Sequence, residues 1–227
     1  MATLSGIITP SNIVTAASTT TLTNKTLTAP TIASANLTTA LTLAGAAGTN
    51  GQVLTSAGSG LATWTTIAAG FTLGTPVAST SGTSIDFTGI PAGVKQIVVS
   101  FDGVSTNGSS RKLIQLGDSG GIETSAYTSA SSHLFSGSLS GANSASGFLI
   151  KSETASERLR GSMTITLVNS STNTWAASGV FADSDGGDST FTSGGSKALS
   201  AVLDRVRITT VNGTDTFDNG QINIAYI

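Results

Sequence analysis

The sequence predicts an all-β chain in two unlike parts: an extended Thr-rich oligomeric stem followed by a C-terminal β-sandwich head. Three observations carry that prediction. Of 227 residues, 34 are Ser and 37 are Thr, with 27 Gly besides. Ser and Thr compete for backbone hydrogen bonds, Thr is stiff at χ1 and Gly costs backbone entropy, so helices are disfavoured. Charged residues make up 10% of the chain, against roughly 25% in ordinary soluble domains, and Lys25 is the only one before Asp86. From Phe71 onward, short alternating runs recur between clear turn signals.

The first part has its own rhythm. Leu22, Leu27, Ile32 and Leu37 each precede a small residue and recur every five positions, tightening to alternation at Leu41 and Leu43. This spacing matches neither the helical period of 3.6 nor the strand period of 2. Extended pieces joined by tight turns produce it, with Asn24 and Pro30 as turn formers. One copy has too thin an apolar stripe to bury. Residues 21–47 are therefore expected to form a stem that orders when several copies wind together, with those four side chains as its packing residues. Residues 48–70 read as a hairpin or neck. Gly48, Asn50 and Gly51 make a turn, residues 52–55 a short strand, and Gly58, Ser59 and Gly60 a second turn. Residues 61–67 return, and Trp64, their one large side chain, is expected to plug a space between subunits.

Residues 71–227 are expected to form the head. Candidate strands are 83–87, 96–101, 112–117, 147–151, 159–168, 174–182, 197–208 and 221–227. Turn signals stand at 90–93, Asn107-Gly108, Gly120-Gly121, 185–187, Asn212-Gly213 and Asn219-Gly220. Eight to ten short strands with long loops indicate a sandwich or jelly roll. About 155 residues suffice to bury roughly 68–70% of the unfolded chain's surface. Residues 198–207 carry the one hint of a helix, although Val202, Val206 and Ile208 suit a strand equally well.

Composition also excludes functions. A net charge of −2, from 10 basic and 12 acidic side chains, leaves no electrostatic footprint for nucleic acid. With no Cys and a lone His133, thiolate zinc sites, cysteine nucleophiles and two-histidine metal sites within one chain are all ruled out. No apolar stretch approaches the roughly 18–20 residues of a membrane helix, and residues 1–12 lack the basic start of a secretory signal. No cofactor is expected.

Each candidate for chemistry has a plainer reading beside it. Asp183, Asp185 and Asp188 fall in a Gly-rich turn, carboxylate ligands of the kind oxygen-loving Ca²⁺ takes. Gly187 occupies the third ligand position of the EF-hand pattern and no Glu stands at its twelfth, so an exposed acidic turn is expected, with the three aspartates as weak metal candidates. Glu153 and Glu157 lie beside Lys151, Arg158 and Arg160, which reads as surface charge pairing. Residues 117–121 resemble the start of a serine-hydrolase motif but lack its strand–elbow–helix setting and any His other than His133. No phosphate-binding loop is present. The chain is expected to have no catalytic residue. Residues 122–147 read instead as a long Ser/Gly/Ala loop carrying Tyr127, His133 and Phe135. Small adaptable residues around a few aromatics are the mixture binding loops use, so these three are the candidate receptor-binding residues.

Residues 21–32 (TLTNKTLTAPTI) and 48–67 (GTNGQVLTSAGSGLATWTTI) resemble phrases of tail fibre and related appendage proteins of tailed bacteriophages. Residues 80–127, from TSGTSIDFTGIPAG to GGIETSAY, look like a distal domain of such fibres. The resemblance implies a homotrimeric virion appendage with a jelly-roll-like head. Residues 1–20 would dock to a virion tail or baseplate protein. The head would meet a bacterial surface glycan or outer-membrane protein, with neither nucleic acid nor membrane insertion involved. The alternatives are a head or collar fibre docked to the capsid, and a surface-polysaccharide depolymerase with paired carboxylates flanking a sugar groove.

Overall fold

Among the described residues every regular element is a strand and none is a helix, as a chain so rich in Ser, Thr and Gly requires. The computed structural model describes residues 42–43, 46–56, 62–67, 70–183 and 189–227. The segment 1–20, the stem residues Leu22, Leu27, Ile32 and Leu37, the turn residues Gly58, Ser59 and Gly60, and Asp185 and Asp188 lie outside them. The chain divides into two compact units, Met1–Ile67 and Ala68–Ile227.

In the first unit, β1 (Thr42–Leu43) pairs antiparallel with β2 (Ala46–Ala47), and β3 (Gln52–Ser56) with β4 (Ala62–Thr66). Trp64 stands opposite Leu54. Its indole lies so close to Gly48 that a Cβ there would come within 2.7 Å of the ring. The Trp64 side chain thus packs against its own chain's turn, while its screened Nε1–H meets no acceptor among the described residues. Thr55 Oγ1 lies 2.6 Å from Thr65 Oγ1, so paired threonines brace this hairpin across its strands.

The second unit comprises β5 (Thr72–Leu73), β6 (Val77–Ala78), β7 (Ser84–Thr88), β8 (Gln96–Thr106), β9 (Lys112–Asp118), β10 (Gly121–Ile122), β11 (Thr128–Phe135), β12 (Ser138–Ser144), β13 (Phe148–Ile150), β14 (Leu159–Asn169), β15 (Thr174–Asp183), β16 (Ser189–Ala198), β17 (Leu203–Thr210) and β18 (Phe217–Tyr226). A nine-stranded sheet runs β12-β11-β16-β15-β14-β8-β18-β5, with β6 also on β18. A five-stranded sheet runs β10-β9-β17-β7, with β13 also on β9. All pairings are antiparallel. Both sheets feed one apolar core: Ile97, Val99, Phe101, Met163, Phe181, Phe191 and Ile224 from the large one, and Ile85, Ile114, Leu116, Phe148, Val206 and Ile208 from the small one. The arrangement is sandwich-like but unequal, nine strands against five.

Two expectations change. Residues 197–208 are neither one run nor a helix: β16 ends at Ala198, the chain bends, and β17 starts at Leu203. The bend is stapled by the buried Asp118, whose carboxylate accepts from Ser200 Oγ (2.7 Å), Gly120 N–H (2.8 Å) and Ala201 N–H (2.7 Å). Asn219-Gly220 is not a turn but a bulge inside β18. Gly220 (φ +86°) approaches Gly103 (φ +68°) too closely for any side chain, and Asn219 Nδ2 donates to Gly103 C=O at 2.7 Å.

β13 joins the two sheets. One of its edges pairs with β9, and serines of the opposite sheet satisfy the other. Leu149 N–H donates to Ser129 Oγ (2.9 Å), Lys151 N–H donates to Ser131 Oγ (3.1 Å), and Ser193 Oγ donates to Leu149 C=O (2.5 Å).

On the outer face of the large sheet, the registers line up two rows across seven strands. One row holds Asn223, Ser100, Ser162, Val180, Thr192, Ser132 and Gly141. The next holds Ala225, Val98, Thr164, Ser178, Gly194, Ala130 and Asn143. Neither row contains a charged side chain.

Candidate recognition surface

The predicted loop 122–147 is mostly a hairpin. Ser136 (φ +47°) and Gly137 (φ +82°) form a two-residue turn with both φ positive, the mirror-type turn whose twist matches a strand pair. It sets Phe135 opposite Ser138 and Leu134 opposite Leu139. The Ser-Gly pair between Leu134 and Leu139 was the available sequence signal. It was masked because small polar residues occupy both faces of the two strands, leaving no apolar alternation to detect.

Strand alternation then sorts the side chains of β11. Ser129, Ser131, His133 and Phe135 share the face toward the core. The first two are buried beneath β13, His133 is half-buried, and Phe135 is 48% exposed. The His133 ring stacks on Phe191 at 4.5 Å with an interplanar angle of 20°. The register continues from Phe191 to Phe181, whose ring meets Phe101 edge-on at 5.2 Å. The core's aromatic row thus ends at His133, and the Phe135 ring lies 6.1 Å beyond it.

These two rings border a cleft of about 210 Å³ whose other walls are Thr154, Ser156, Glu157, Asp183 and Ser189. Glu157 is not a surface charge-pairing residue. It is buried, and its carboxylate accepts from Glu153 N–H (2.8 Å) and Thr154 N–H (3.2 Å), which closes the 151–158 segment on itself. Glu153 pairs with Arg111 and Lys151. These cations hold its carboxyl below the ordinary value despite the opposing cost of burial. Asp183, expected in an exposed acidic turn, is buried and accepts from Arg158 N–H at 3.1 Å. No cluster of three or more His, Asp or Glu that could hold a metal forms among the described residues. His133 Nε2 lies 3.0 Å from Ser189 Oγ, a contact that nucleophilic catalysis also uses. Ser189 is however 5% exposed and stands opposite Phe135 in the register, where it braces the hairpin.

Tyr127 belongs elsewhere. Expected at the surface with His133 and Phe135, it is buried in the core. Its phenol oxygen accepts from Leu116 N–H (2.7 Å) and lies 3.1 Å from Glu123 C=O. Its ring meets Phe148 edge-on at 5.2 Å, with Lys197 Nζ 5.2 Å above it. Burial pushes the phenol well above its ordinary pKa. The cleft therefore offers one half-exposed aromatic ring, an imidazole and hydroxyls, with the buried carboxylates of Glu157 and Asp183 in its wall already accepting from backbone N–H groups, and stacking and hydroxyl hydrogen bonds are what it can give a polar ligand. No protein-family model, curated protein or solved structure matches the chain.

Proposed function

We propose that the chain is a non-catalytic virion appendage, a homotrimeric tail fibre. Residues 1–20 dock to a tail or baseplate protein, residues 21–47 form the trimeric stem, and a jelly-roll-like head attaches the virion to the host surface. Its ligand is a surface glycan or an outer-membrane protein, and its contact point is the cleft beside the β11–β12 tip. The observation that carries this reading is Phe135, an aromatic ring 48% exposed on a tightly turned hairpin that is backed by the core. A rigid exposed aromatic at the mouth of a cleft is what a binding anchor needs. The resemblance of residues 21–32 and 48–67 to phrases of phage fibres supplies the setting. Three heads on one stem would raise weak single-site binding through effective concentration.

Phe135→Ala tests it. The variant is expected to melt within about 2 °C of the unmodified chain, because the lost side chain is half exposed. Adsorption of the labelled protein to cells that bind the unmodified chain is expected to fall at least tenfold. Unchanged adsorption would remove the cleft from the proposal. New reducing ends on incubation with host polysaccharide would point to a depolymerase instead.

A further inference from the structure

On the outer face of the small sheet the registers set three planar polar side chains in one row: Asp86 on β7, Arg207 on β17 and Gln115 on β9. Arg207 grips Asp86 with two parallel bonds, Nε to Oδ1 and Nη2 to Oδ2, each 2.7 Å. Gln115 is buried, and its Nε2 donates to Ser146 C=O at 2.8 Å. All three groups are thereby fixed before any ligand arrives, yet none is used up. The guanidinium keeps further N–H donors and the carboxylate further lone pairs, while Gln115 Oε1 has no partner among the described residues. The next row, Ser84, Thr209 and Leu113, completes the floor of a hollow of about 460 Å³. Its walls are pinned as firmly. On one side Val211 N–H donates to Arg111 C=O (2.9 Å), and Asn212 Oδ1 accepts from Thr210 Oγ1 (2.8 Å) and Thr214 N–H (3.0 Å). On the other, Glu123 N–H donates to Leu116 C=O at 3.0 Å. Beside that tie stand Thr124 and Ser146, whose hydroxyls have no partner among the described residues.

What the hollow offers decides its ligand. Guanidinium and carboxylate neutralise each other, so a charged ligand would have to compete with a bidentate pair. Of the lining side chains only Leu113 and Val211 are wholly apolar, too few to hold an apolar molecule. Donors and acceptors instead alternate along the row. A ligand whose polar groups each donate and accept matches that alternation, and hydroxyls on neighbouring carbons are such groups. The volume falls within the range of about 300–1,000 Å³ typical of small-ligand sites. We propose that this hollow is a saccharide-binding site, in which Asp86, Arg207 and Gln115 hold a neutral sugar by hydrogen bonds. It shares no residue with the cleft at His133 and Phe135, so the head carries a second contact for a glycan. The inference rests on neither that cleft nor the virion setting.

Saturation-transfer NMR on the full-length chain tests this, with glucose, galactose, mannose, rhamnose and N-acetylglucosamine as probes. The parent for the test carries Phe135→Ala, which removes the ring of the other cleft. At least one sugar is expected to bind it saturably, with a Kd of about 1–10 mM. Ser84→Tyr fills the hollow from its floor and Thr124→Tyr from its exposed wall. Each is expected to weaken that binding at least tenfold while melting within about 2 °C of the parent. Thr88→Tyr, on an exposed position of β7 outside the hollow, is expected to leave binding unchanged. If none of the sugars binds, or if both fillings leave binding intact, the site is overturned. Binding to the unmodified chain that disappears with Phe135→Ala places the sugar in the cleft, which overturns the second site and leaves the proposed attachment standing.

Discussion

At the start of β9 the ammonium of Lys112 is fully buried and has no hydrogen-bond partner among the described residues. Burial pushes its pKa below the ordinary lysine value, and the carboxylates of Glu157, Asp215, Asp218 and Asp183 oppose that only in part. In the unfolded chain Lys112 keeps its proton up to the ordinary lysine range. In the fold it releases the proton at lower pH, so across that window the unfolded state binds more protons and stability rises with pH. Lys112→Met removes the buried charge at similar volume. It is expected to stabilise the fold by about 1 kcal/mol at pH 7, with the gain shrinking toward pH 10, as urea midpoints at the two pH values would reveal. A variant less stable than the parent at pH 7 would contradict this account. Nothing in the run Lys112-Leu113-Ile114-Gln115-Leu116 distinguishes a buried lysine from one at a strand's solvated end. Tyr127 misled in the opposite direction: Ser and Ala neighbours suggested a surface loop, whereas its phenol stitches two segments of the core.

At the level of the element, β13 shows what the abundance of serine does. A three-residue strand with one unpaired edge would bury orphaned backbone groups, and Ser129, Ser131 and Ser193 take up those groups from the facing sheet. Ser131→Ala and Ser193→Ala each leave such a group unpaired and are expected to cost about 1–3 kcal/mol in chemical denaturation. Ser132→Ala, on the outer face of the same strand, is expected to stay within about 0.5 kcal/mol. Equal effects at all three positions would refute the division of labour. The strands with an apolar face (β7, β8, β9, β14 and β15) were legible as alternating runs. Those built from Ser, Gly and Ala (β11, β12 and most of β16) were not, because period-2 patterning needs a contrast between faces. The candidate site suffered for the same reason. His133 and Phe135 were recognisable as aromatics in a polar stretch, while Thr154, Glu157, Asp183 and Ser189 reach the same cleft from other elements.

Across the whole molecule the distribution of charge sets the expectation. All charged residues but Lys25 lie from Asp86 onward, and on the large sheet they leave one face almost bare. Both features lower the electrostatic cost of bringing copies together. Light scattering of the full chain is expected to give a mass near three times 22.5 kDa, and a monomer at every accessible concentration would defeat the homotrimer. The sequence by itself determined that the chain is β throughout its described part, that the first unit is nearly uncharged, and that the 52–66 segment returns on itself. These follow from local stereochemistry and composition. The tertiary structure alone decided which serines are buried, that Tyr127 is core, that His133 meets Ser189 across 56 residues, and that scattered Ser, Thr, Ala and Gly align into uncharged rows. Each of these depends on strand registers set between distant segments, and register follows from the packing of the whole core.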